Sequence, residues 1–470
     1  MFDVLGGDLQ ITKKSLMTLD EVLKAVDGKL LSNTQESDFY FVDVACDSRK
    51  VKKDFIFFPL IGTQDGHDYI PQAIENGASV IFVTDYFADF HNQQIKEYKK
   101  AGVAVISVGH TMYALQRLAA SYVLKFPSLI RIGITGSSGK TTTKEIAVNV
   151  LSQKYSVVYN EGNLNSETGL PLSVFKIREN HQVGIFEMGM NRKGEISELA
   201  SVLYPQYGII TNIGTAHIGI LGSKQNIAEE KKQIFKFFNS KSHGYIPADD
   251  DFADFLSESK GEIKKVSQNL ISDVKFLGLE GSSFSYKNQN VKFPLCGKYN
   301  LKNALSVIAL AEDLGLSTEE IKNGLETVKT IFGRNQIVKK DFTFVLDCYN
   351  ANPDSMKASV EFCSEVECSG KKVFVLADML ELGDESDSAH KEIAELVEKS
   401  NVDYVIFFGE QMCKVKDFVL SKKVDGISSR DEKAVEFVAS KLREFCSKDD
   451  IVLLKGSRGM QLERIVEALN

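Results

Sequence analysis

The sequence has little of what marks a fibrous, disordered or membrane-spanning protein. Its 470 residues include 34 glycines and 8 prolines, and no segment is rich in proline or serine. This composition argues against collagen, low-complexity sequence and long disorder. The longest apolar run lies near residues 55–62, far short of the roughly 20 residues that cross a bilayer. We therefore expect a globular protein without a membrane span, with about three domains at roughly 150 residues each.

The cysteines indicate neither a disulfide framework nor a zinc site. There are seven, an odd number, and they are spread along the chain without a Cys-x-x-Cys pair. Reduced thiols in a cytoplasmic protein account for this pattern best. The first residues also lack the charged-then-apolar pattern of a signal peptide, so a cytoplasmic location is the expectation.

An excess of basic residues is lacking as well. Lysine and arginine number 56 and aspartate and glutamate 64, which gives a net charge of -8. A nucleic-acid-binding protein needs a basic surface to displace counterions from phosphates, so we expect no nucleic-acid partner. A local phosphate site is still compatible with this charge.

Short apolar runs followed by helical patterns recur along the chain. Strands that are buried on both faces lose their polar alternation, so such runs predict parallel sheets covered by helices. Alternating β and α elements predict an α/β fold of doubly wound domains. The runs are Ser79–Thr84, Val103–Val108, Ile130–Thr135, Val183–Phe186, Gly208–Ile213, Phe342–Leu346, Val373–Ala377, Tyr404–Phe408 and Ile451–Leu454, and the helical patterns include Thr141–Gln153, Leu301–Leu314 and His390–Lys399.

Two turns are the predicted domain boundaries. The Gly109-His110 turn closes a first domain, and a helical pattern ends near Ile331–Arg334 before a new set of strands begins. The prediction is therefore three domains over residues 1–110, 111–331 and 332–470.

The most informative stretch is IGITGSSGKTTTKE, residues 132–145. An apolar strand leads into a glycine-containing loop and then a helical pattern, where backbone N–H groups and the helix N-terminus favour a phosphate. Ile134 occupies the first glycine position of the strict phosphate-loop motif, and a chance Gly/Ser turn is the competing interpretation. The strand before the loop and the helical pattern after it favour phosphate binding over a chance turn. The predicted nucleotide contacts are Gly136, Ser137, Ser138, Gly139, Lys140, Thr141 and Thr142.

Three residues outside the loop are candidate metal ligands. Glu187 ends the apolar run VGIF, and His217 follows the run GIITNI. Mg²⁺ prefers oxygen ligands, so the carboxylate is suitable, and Thr141 adds a hydroxyl. For Glu187 a helix-capping role is about equally favoured, and a lone histidine is more often structural than a ligand.

Lys231 lies in the charged run Glu229–Lys232, which by itself indicates a solvated helix face. Ile227, Lys231 and Phe235 are four residues apart, however, and so share one stripe of a helix. Lys231 is therefore predicted to point inward and Lys232 outward. An inward ammonium near Mg²⁺ would be repelled unless it gained negative charge.

Taken together, these motifs resemble the Mur ligases, ATP-dependent amide-bond-forming enzymes of bacterial cell-wall synthesis. The resemblance extends over nearly the whole chain, and the order and spacing of its motifs are more specific than any one of them. Its motifs are Asp47-Ser48-Arg49, Asp65-Gly66-His67, Thr135–Thr142, Asn163–Pro171, Glu187-Met188-Gly189, Thr211–His217, Gly297–Ala304, Gly333-Arg334, Asp347–Pro353, Asp378–Gly383 and Lys455–Arg458.

The resemblance implies a three-domain Mur ligase architecture, with a central ATPase-like parallel sheet and a C-terminal Rossmann-like domain. It assigns Lys140 to the phosphates of ATP, Thr141 and Glu187 to Mg²⁺, and His217 to a second Mg²⁺ near a Lys231 that is carbamylated by CO₂. The catalytic set is thus Lys140, Glu187, His217 and Lys231. Further nucleotide contacts are implied for Asn303, Arg334 and Asp347.

The resemblance also implies the substrates UDP-N-acetylmuramoyl-tripeptide and D-alanyl-D-alanine. We expect a monomer. It places Ser48 and Arg49 near the uridine diphosphate. Residues on the sugar-peptide side are Asn163, Asn165, Ser166, Glu167 and Thr168. Residues 350–354, Asn-Ala-Asn-Pro-Asp, favour the dipeptide-adding branch over the branch that adds the third amino acid. The alternatives are a family member that adds another residue, a folylpolyglutamate-synthase-like ligase, and a nucleotide switch that hydrolyses ATP without ligating.

Overall fold

The computed structural model describes residues 15–32 and 34–469. Contacts within these residues divide them into two compact units. The smaller unit holds the described residues up to Leu129, with Asn160–Glu179 and Ser201–Leu203, and the larger unit holds the rest. The larger unit contains two six-stranded sheets, and the three domain boundaries stay a prediction.

The strands of the chain are mostly short and mostly buried, as expected of sheets covered by helices. In chain order they are β1 (Lys29–Leu30), β2 (Asp43–Ala45), β3 (Phe55–Phe57), β4 (Ala78–Thr84), β5 (Ala104–Val108), β6 (Ile130–Thr135), β7 (Val157–Tyr159), β8 (Val183–Glu187), β9 (Tyr207–Ile210), β10 (His243–Pro247), β11 (Glu262–Val266), β12 (Ser272–Phe276), β13 (Ser282–Tyr286), β14 (Gln289–Phe293), β15 (Gln336–Lys339), β16 (Thr343–Asp347), β17 (Lys372–Ala377), β18 (Tyr404–Phe408), β19 (Lys423–Ile427) and β20 (Ile451–Lys455).

The helices alternate with these strands along most of the chain. They are α1 (Leu19–Val26), α2 (Ile70–Glu75), α3 (Asp85–Phe90), α4 (Asn92–Lys100), α5 (Thr111–Val123), α6 (Lys140–Leu151), α7 (Gly169–Val174), α8 (Glu195–Leu203), α9 (Ile218–Leu221), α10 (Lys224–Lys232), α11 (Ala253–Ser257), α12 (Lys298–Asp313), α13 (Thr318–Glu326), α14 (Pro353–Glu365), α15 (Ser386–Lys399), α16 (Glu410–Lys414), α17 (Glu432–Phe445) and α18 (Glu463–Ala468).

The smaller unit is built on one five-stranded sheet in the order β1-β5-β4-β3-β2. Strands β2 to β5 pair in parallel, and the two-residue β1 is added antiparallel to β5. Phe57, Ile81 and Val105 are buried in its core, so the sheet is covered rather than exposed.

The first sheet of the larger unit has the order β11-β10-β9-β6-β8-β7, and its strands are parallel. Helices α6 and α12 bury Ile146, Val150 and Leu305 against it. Strand β6 lies between β9 and β8, which places the loop after β6 between the carboxyl ends of its two neighbours. Ligands bind at such a point in parallel sheets.

The remaining strands of the larger unit form two further sheets. One is the antiparallel β12-β13-β14, and the other has the order β15-β16-β20-β17-β18-β19. In the latter only β15 pairs antiparallel, and each face of the sheet has its own apolar cluster. The α/β class with mainly parallel sheets is thus confirmed.

Membrane crossing and disulfide bonding find no support in the residues described. None of their helices is long and apolar enough to cross a membrane. All seven cysteines lie within the described residues and are free thiols.

Candidate nucleotide site at the carboxyl end of the central sheet

The loop between β6 and α6 has the backbone of a phosphate-binding loop. Gly136 has φ 151° and Gly139 has φ 80°, values that a side chain disfavours. A Cβ atom on Gly136 would lie 1.8 Å from Thr211 Oγ1, and one on Gly139 would lie 2.8 Å from Asn303 Nδ2. The loop therefore needs glycine at both positions, for backbone conformation and for space.

Residues 211–214, in the turn after β9, form hydrogen bonds with this loop. The side-chain oxygen of Asn212 accepts hydrogen bonds from the backbone N–H groups of Ser137 (3.1 Å) and Ser138 (2.9 Å). Thr211 Oγ1 donates to the Ser138 carbonyl at 2.5 Å, and Gly214 N donates to Ser137 Oγ at 2.8 Å. The N–H groups of Lys140, Thr141 and Thr142 lie in the first turn of α6, where no intrahelical acceptor exists.

Two lysine side chains bind the same backbone oxygen of the loop. Lys140 Nζ donates to the carbonyl oxygen of Gly136 at 2.8 Å, and Lys231 Nζ donates to the same oxygen at 2.9 Å. Burial lowers the pKa of both ammonium groups; the charge of Arg334 lowers that of Lys140 further, and the charge of Lys140 lowers that of Lys231 further. For Lys140 the carboxylate of Glu187 opposes the shift in its pKa.

Lys231 is inward-pointing, as its stripe predicts. It is 1% exposed, with Ile227, Ile234 and Phe235 buried alongside. Lys232 is half-buried rather than fully outward, because its ammonium lies over the ring of Phe255, 4.0 Å from the ring centroid, and donates to the Phe255 carbonyl at 2.5 Å.

A hydroxyl, a carboxylate and a guanidinium meet at the start of α6. Thr141 Oγ1 donates to Glu187 Oε2 at 2.7 Å, and Arg334 Nη2 donates to Thr141 Oγ1 at 2.8 Å. Glu187 ends β8 and is 2% exposed. The guanidinium of Arg334 stacks on the ring of Tyr349, 4.3 Å from its centroid, and its buried Nε makes no hydrogen bond. These three polar groups form a compact cluster beside Lys140.

His217 lies in the turn after β9 with φ 65°. Its Nδ1 is buried, makes no hydrogen bond and lies 3.7 Å from Glu381 Oε2. Burial lowers the pKa of the imidazole to about 4, with help from the charges of Lys140 and Lys231. The ring is therefore neutral near pH 7 and has a free ring nitrogen to offer.

Asn303 and Asp347, the other predicted nucleotide contacts, lie in the same unit. Asn303 is on α12, with its amide against Gly139. Asp347 ends β16, and its Oδ2 accepts hydrogen bonds from Ser359 Oγ (2.6 Å) and Lys455 Nζ (2.7 Å). Asn303 thus borders the loop directly, whereas the Asp347 carboxylate is engaged by its own neighbours.

The predicted sugar-peptide and uridine residues all lie in the smaller unit. Ser48 is buried and donates to Gln72 Oε1 at 2.6 Å, and the largely exposed Arg49 pairs with Asp47 at 2.9 Å. Asn163 is exposed, whereas residues 165–168 are half-buried. In this segment Ser166 Oγ accepts a hydrogen bond from Gly169 N at 3.2 Å. The described contacts therefore give Ser48 and Ser166 local structural roles.

The Asp65-Gly66-His67 motif has a structural explanation within the smaller unit. His67 is 2% exposed, and its Nε2 accepts a hydrogen bond from Thr84 N at 3.0 Å. Its Nδ1 consequently carries the proton and donates to Asp65 Oδ1 at 2.6 Å. A Cβ atom on Gly66 would lie 2.5 Å from the Leu60 carbonyl oxygen, which explains the glycine.

Sequence reasoning missed three residues that contact the loop or its supporting turn. No site role is predicted for Asn212, which lies in the run GIITNI, and residues 350–354, which include Asn352 and Asp354, serve only to distinguish branches of the family. Asn352 Nδ2 donates to Ser138 Oγ at 3.1 Å, and Asp354 Oδ2 accepts from Thr215. Asn and Asp just before and after a proline were a visible helix-start signal, but the partner of each could not be read from it.

A cluster of three or more His, Cys, Asp or Glu side chains able to hold a metal does not occur in residues 15–32 and 34–469. Mg²⁺ at a nucleotide site takes one or two protein ligands, substrate phosphates and water. The adjacent oxygens of Thr141 and Glu187 suit that donor set, and so the residues present fit a nucleotide-bound Mg²⁺.

Three family models match successive parts of the chain. These are the Mur ligase family catalytic domain over residues 41–123, the Mur ligase middle domain over 134–311 and the Mur ligase glutamate ligase domain over 333–458. Together they leave only short segments between residues 41 and 458 unmatched.

Curated relatives and solved structures agree with these models. UDP-N-acetylmuramoyl-tripeptide--D-alanyl-D-alanine ligase of Treponema pallidum (strain Nichols) is 44% identical over 458 residues, covering 96% of this chain and 98% of the relative. MurF from Acinetobacter baumannii has a TM-score of 0.85 at 27% identity, covering 96% of this chain and 98% of that one. MurF ligase from Thermotoga maritima in complex with ADP has a TM-score of 0.78 at 28% identity, covering 91% and 96%. By its similarity over nearly its whole length, this chain belongs to the Mur ligase family.

Proposed function

We propose that this protein joins the free carboxylate of UDP-N-acetylmuramoyl-tripeptide to the amine of D-alanyl-D-alanine with hydrolysis of ATP. The substrates are those in the name of the Treponema pallidum relative, which is 44% identical over nearly the whole of both chains. The observation that carries the ATP chemistry is the cluster of Thr141, Glu187 and Arg334 beside Lys140. The product would be a pentapeptide precursor of peptidoglycan, with ADP and phosphate.

A carboxylate is a poor electrophile, and transfer of the γ-phosphoryl group to it gives an acyl phosphate with a good leaving group. Phosphoryl transfer depends on positioning and charge neutralisation. Lys140 would leave the Gly136 carbonyl for the phosphates, while the N–H groups at the start of α6 bind phosphate oxygens. Arg334 adds a further positive charge next to Thr141.

Thr141 and Glu187 would hold Mg²⁺ in this scheme. When bound, Mg²⁺ supplies Lewis-acid neutralisation of the transferring phosphoryl group. Arg334 and Thr141 would keep the carboxylate of Glu187 oriented toward the phosphates. The nucleotide side thus needs only groups that already lie together in the larger unit.

His217 and Lys231 would hold a second Mg²⁺, with Lys231 as a carbamate. Carbamylation requires a neutral amine, which adds to CO₂ to give a carbamate and release one proton. Burial and the charge of Lys140 lower the pKa of Lys231 well below its ordinary value, so its neutral amine is more accessible than that of an exposed lysine. The Nδ1 of the neutral His217, which makes no hydrogen bond, would provide the companion ligand.

Attack of the dipeptide amine on the acyl phosphate completes the reaction and releases phosphate. Ser48, Arg49 and residues 163–168 would bind the UDP-sugar and peptide portions. Exclusion of water from the acyl phosphate would prevent wasteful hydrolysis. Mur ligases that add another residue and folylpolyglutamate-synthase-like ligases would share the ATP chemistry and differ in the acceptor.

The deciding experiment measures phosphate release with UDP-N-acetylmuramoyl-tripeptide, with and without D-alanyl-D-alanine, and product mass by mass spectrometry. A pentapeptide mass that appears only with both substrates supports the proposal. Parallel reactions with single amino acids, and with a folate plus glutamate, test the alternatives. A rate of phosphate release that does not change when any of these amines is added would instead indicate a nucleotide switch and contradict the ligase proposal.

A further inference from the structure

Helix α14 begins directly on the phosphate loop. Its N-cap residue, Asn352, accepts a hydrogen bond from Ser355 N at 2.8 Å with its side-chain oxygen. The amide nitrogen of the same side chain donates to Ser138 Oγ at 3.1 Å. One asparagine therefore both caps the helix and contacts the loop, which fixes the first turn of α14 beside the loop.

Asp354, two residues further on, contacts the turn that follows β9. Its Oδ2 accepts hydrogen bonds from Thr215 N at 2.6 Å and from Thr215 Oγ1 at 2.7 Å. The approach is possible because Gly214 has no side chain, since a Cβ there would lie 2.4 Å from Asp354 Oδ2. A carboxylate that binds both donors of one threonine fixes the backbone and the side chain of that residue together.

The turn held by Asp354 carries His217 two residues later. His217 has φ 65°, a left-handed conformation that costs energy for a residue with a side chain and persists only where the surroundings maintain it. The same turn donates from Gly214 N to Ser137 Oγ. Asp354 therefore acts at the point where the phosphate loop and the strained histidine are connected.

We propose that Asp354 is a positioning residue, which sets the place of His217 and of the phosphate loop by binding Thr215. Its catalytic consequence rests on the proposed ligase function, whereas its effect on the turn does not. Residues 350–354 then contribute to the nucleotide side of the site, through Asn352 and Asp354, in addition to any part in substrate choice.

The test combines hydrogen exchange with steady-state kinetics. Asp354→Ala removes both acceptor bonds, Asp354→Asn keeps one oxygen, Thr215→Val removes the hydroxyl donor, and Thr215→Ser keeps both donors. Glu361→Ala is the matched control, because Glu361 is an exposed acid on the same helix and pairs with Lys357 at 3.9 Å. Exchange is followed by mass spectrometry in peptides spanning residues 208–221, without nucleotide.

We expect exchange in that peptide to rise about tenfold in Asp354→Ala, as for the loss of one or two hydrogen bonds. We expect kcat to fall about tenfold or more, with KM for ATP changed less than about threefold, because the loop keeps its phosphate donors. Asp354→Asn should recover part of the loss. Thr215→Ser and Glu361→Ala should resemble the unmodified enzyme, and Thr215→Val should add little once Asp354 is removed.

Unchanged exchange in a folded Asp354→Ala variant would overturn the proposal. A raised KM for ATP with unchanged kcat would overturn it as well, because that pattern indicates ground-state binding alone. Should Asp354→Ala fail to fold, the comparison of Thr215→Val with Thr215→Ser decides, and equal exchange in the two would count against the proposal. Absence of ligation by the unmodified enzyme would contradict the proposed function, while the exchange result would still test the turn.

Discussion

Lys140 and Lys231 donate to one and the same acceptor, the carbonyl oxygen of Gly136, at 2.8 and 2.9 Å. The two cations are 91 positions apart in the sequence but adjacent in the site, and burial together with the charge of Lys140 lowers the pKa of Lys231. The two lysines share an acceptor but have different proposed roles. In the proposed function, Lys140 would move from the carbonyl to the phosphates, and Lys231 would lose a proton and react with CO₂.

Removal of the Lys140 ammonium should abolish ligation. We expect Lys140→Ala to lower kcat by about 100-fold or more, since a charge aimed at the transferring phosphoryl group is worth several kcal/mol. Phosphate release with both substrates measures the effect, and circular dichroism checks the fold. Lys154→Ala, which removes an exposed lysine shortly after α6, is the control. Near-normal turnover by Lys140→Ala would contradict the phosphate-loop assignment.

Small carboxylates should restore the activity that is lost when Lys231 is replaced. Lys231→Ala is expected to be nearly inactive and to regain activity with formate, acetate or propionate, which imitate the carbamate. Intact-protein mass spectrometry under CO₂ should show the mass of one added CO₂ in the unmodified enzyme and none in Lys231→Arg. Full activity of Lys231→Ala without any added acid would rule out the carbamate role.

Gly136 should not tolerate a side chain. Gly136→Ala places a Cβ 1.8 Å from Thr211 Oγ1 in a backbone with φ 151°, so we expect destabilisation of about 2 kcal/mol or more. Urea unfolding followed by circular dichroism is the measurement, since the protein contains no tryptophan. Gly109→Ala is the matched control, because nothing lies within 4 Å of a Cβ there. Equal midpoints for the two variants would show that the loop can shift freely.

The buried pair of Lys455 and Asp347 should be sensitive to loss of one partner. Their side chains are 2% and 12% exposed at 2.7 Å, so Lys455→Ala leaves a carboxylate with little solvent, at a cost of about 3–5 kcal/mol. Lys441→Ala breaks a looser pair with Asp425 at 3.6 Å and should cost less than about 1 kcal/mol. Urea unfolding compares the two. A smaller loss for Lys455→Ala than for Lys441→Ala would contradict this account.

Protonation of His390 should make the free energy of unfolding depend on pH. Its Nε2 accepts from Met379 N at 3.0 Å and its Nδ1 faces the Ser386 carbonyl at 2.6 Å, so the folded protein needs the neutral ring. Burial lowers its pKa from the ordinary 6.5. The unfolded chain therefore binds more protons below about pH 6.5, and the free energy of unfolding falls as pH drops from there toward the lower folded pKa.

The measurement is the unfolding midpoint of His390→Gln and of the unmodified protein between pH 7.5 and about 5. We expect the glutamine variant to lose part of the decline, because it cannot take up the proton. His110→Gln, at an exposed histidine, should keep the full decline. An identical pH dependence in all three proteins would argue against the assignment.

The buried strands were predictable because their apolar runs report burial on both faces. The runs Ile130–Thr135 and Tyr404–Phe408 coincide with β6 and β18, and the strand bearing Glu187 ends at that residue. The run Gly208–Ile213 is longer than β9, which stops at Ile210. Thr211 N still donates to Thr135, the last residue of β6, whereas Thr211 Oγ1 and Asn212 Oδ1 bond to the phosphate loop and Ile213 N donates to Asp250.

Other strands and the long-range contacts could not be predicted from the sequence pattern. The antiparallel strands β12 to β14 alternate buried and exposed residues only partly, so no uninterrupted apolar run marks them. The bond from Thr215 to Asp354 joins residues 139 positions apart, a separation that periodicity and motif spacing do not address. Lys231 was predictable because its stripe on α10 is local, whereas its acceptor on Gly136 is 95 positions away.

The hydrogen bonds from the Ser137 and Ser138 amides to Asn212 also bear on how tightly nucleotide binds. They fix the backbone of the loop through contacts within the protein, so the entropy of ordering that backbone is lost during folding rather than during association. An arriving triphosphate would then draw the Lys140 side chain away from the Gly136 carbonyl. The site is preorganised, and mutations at Asn212 should weaken nucleotide affinity even though that side chain need never touch the nucleotide.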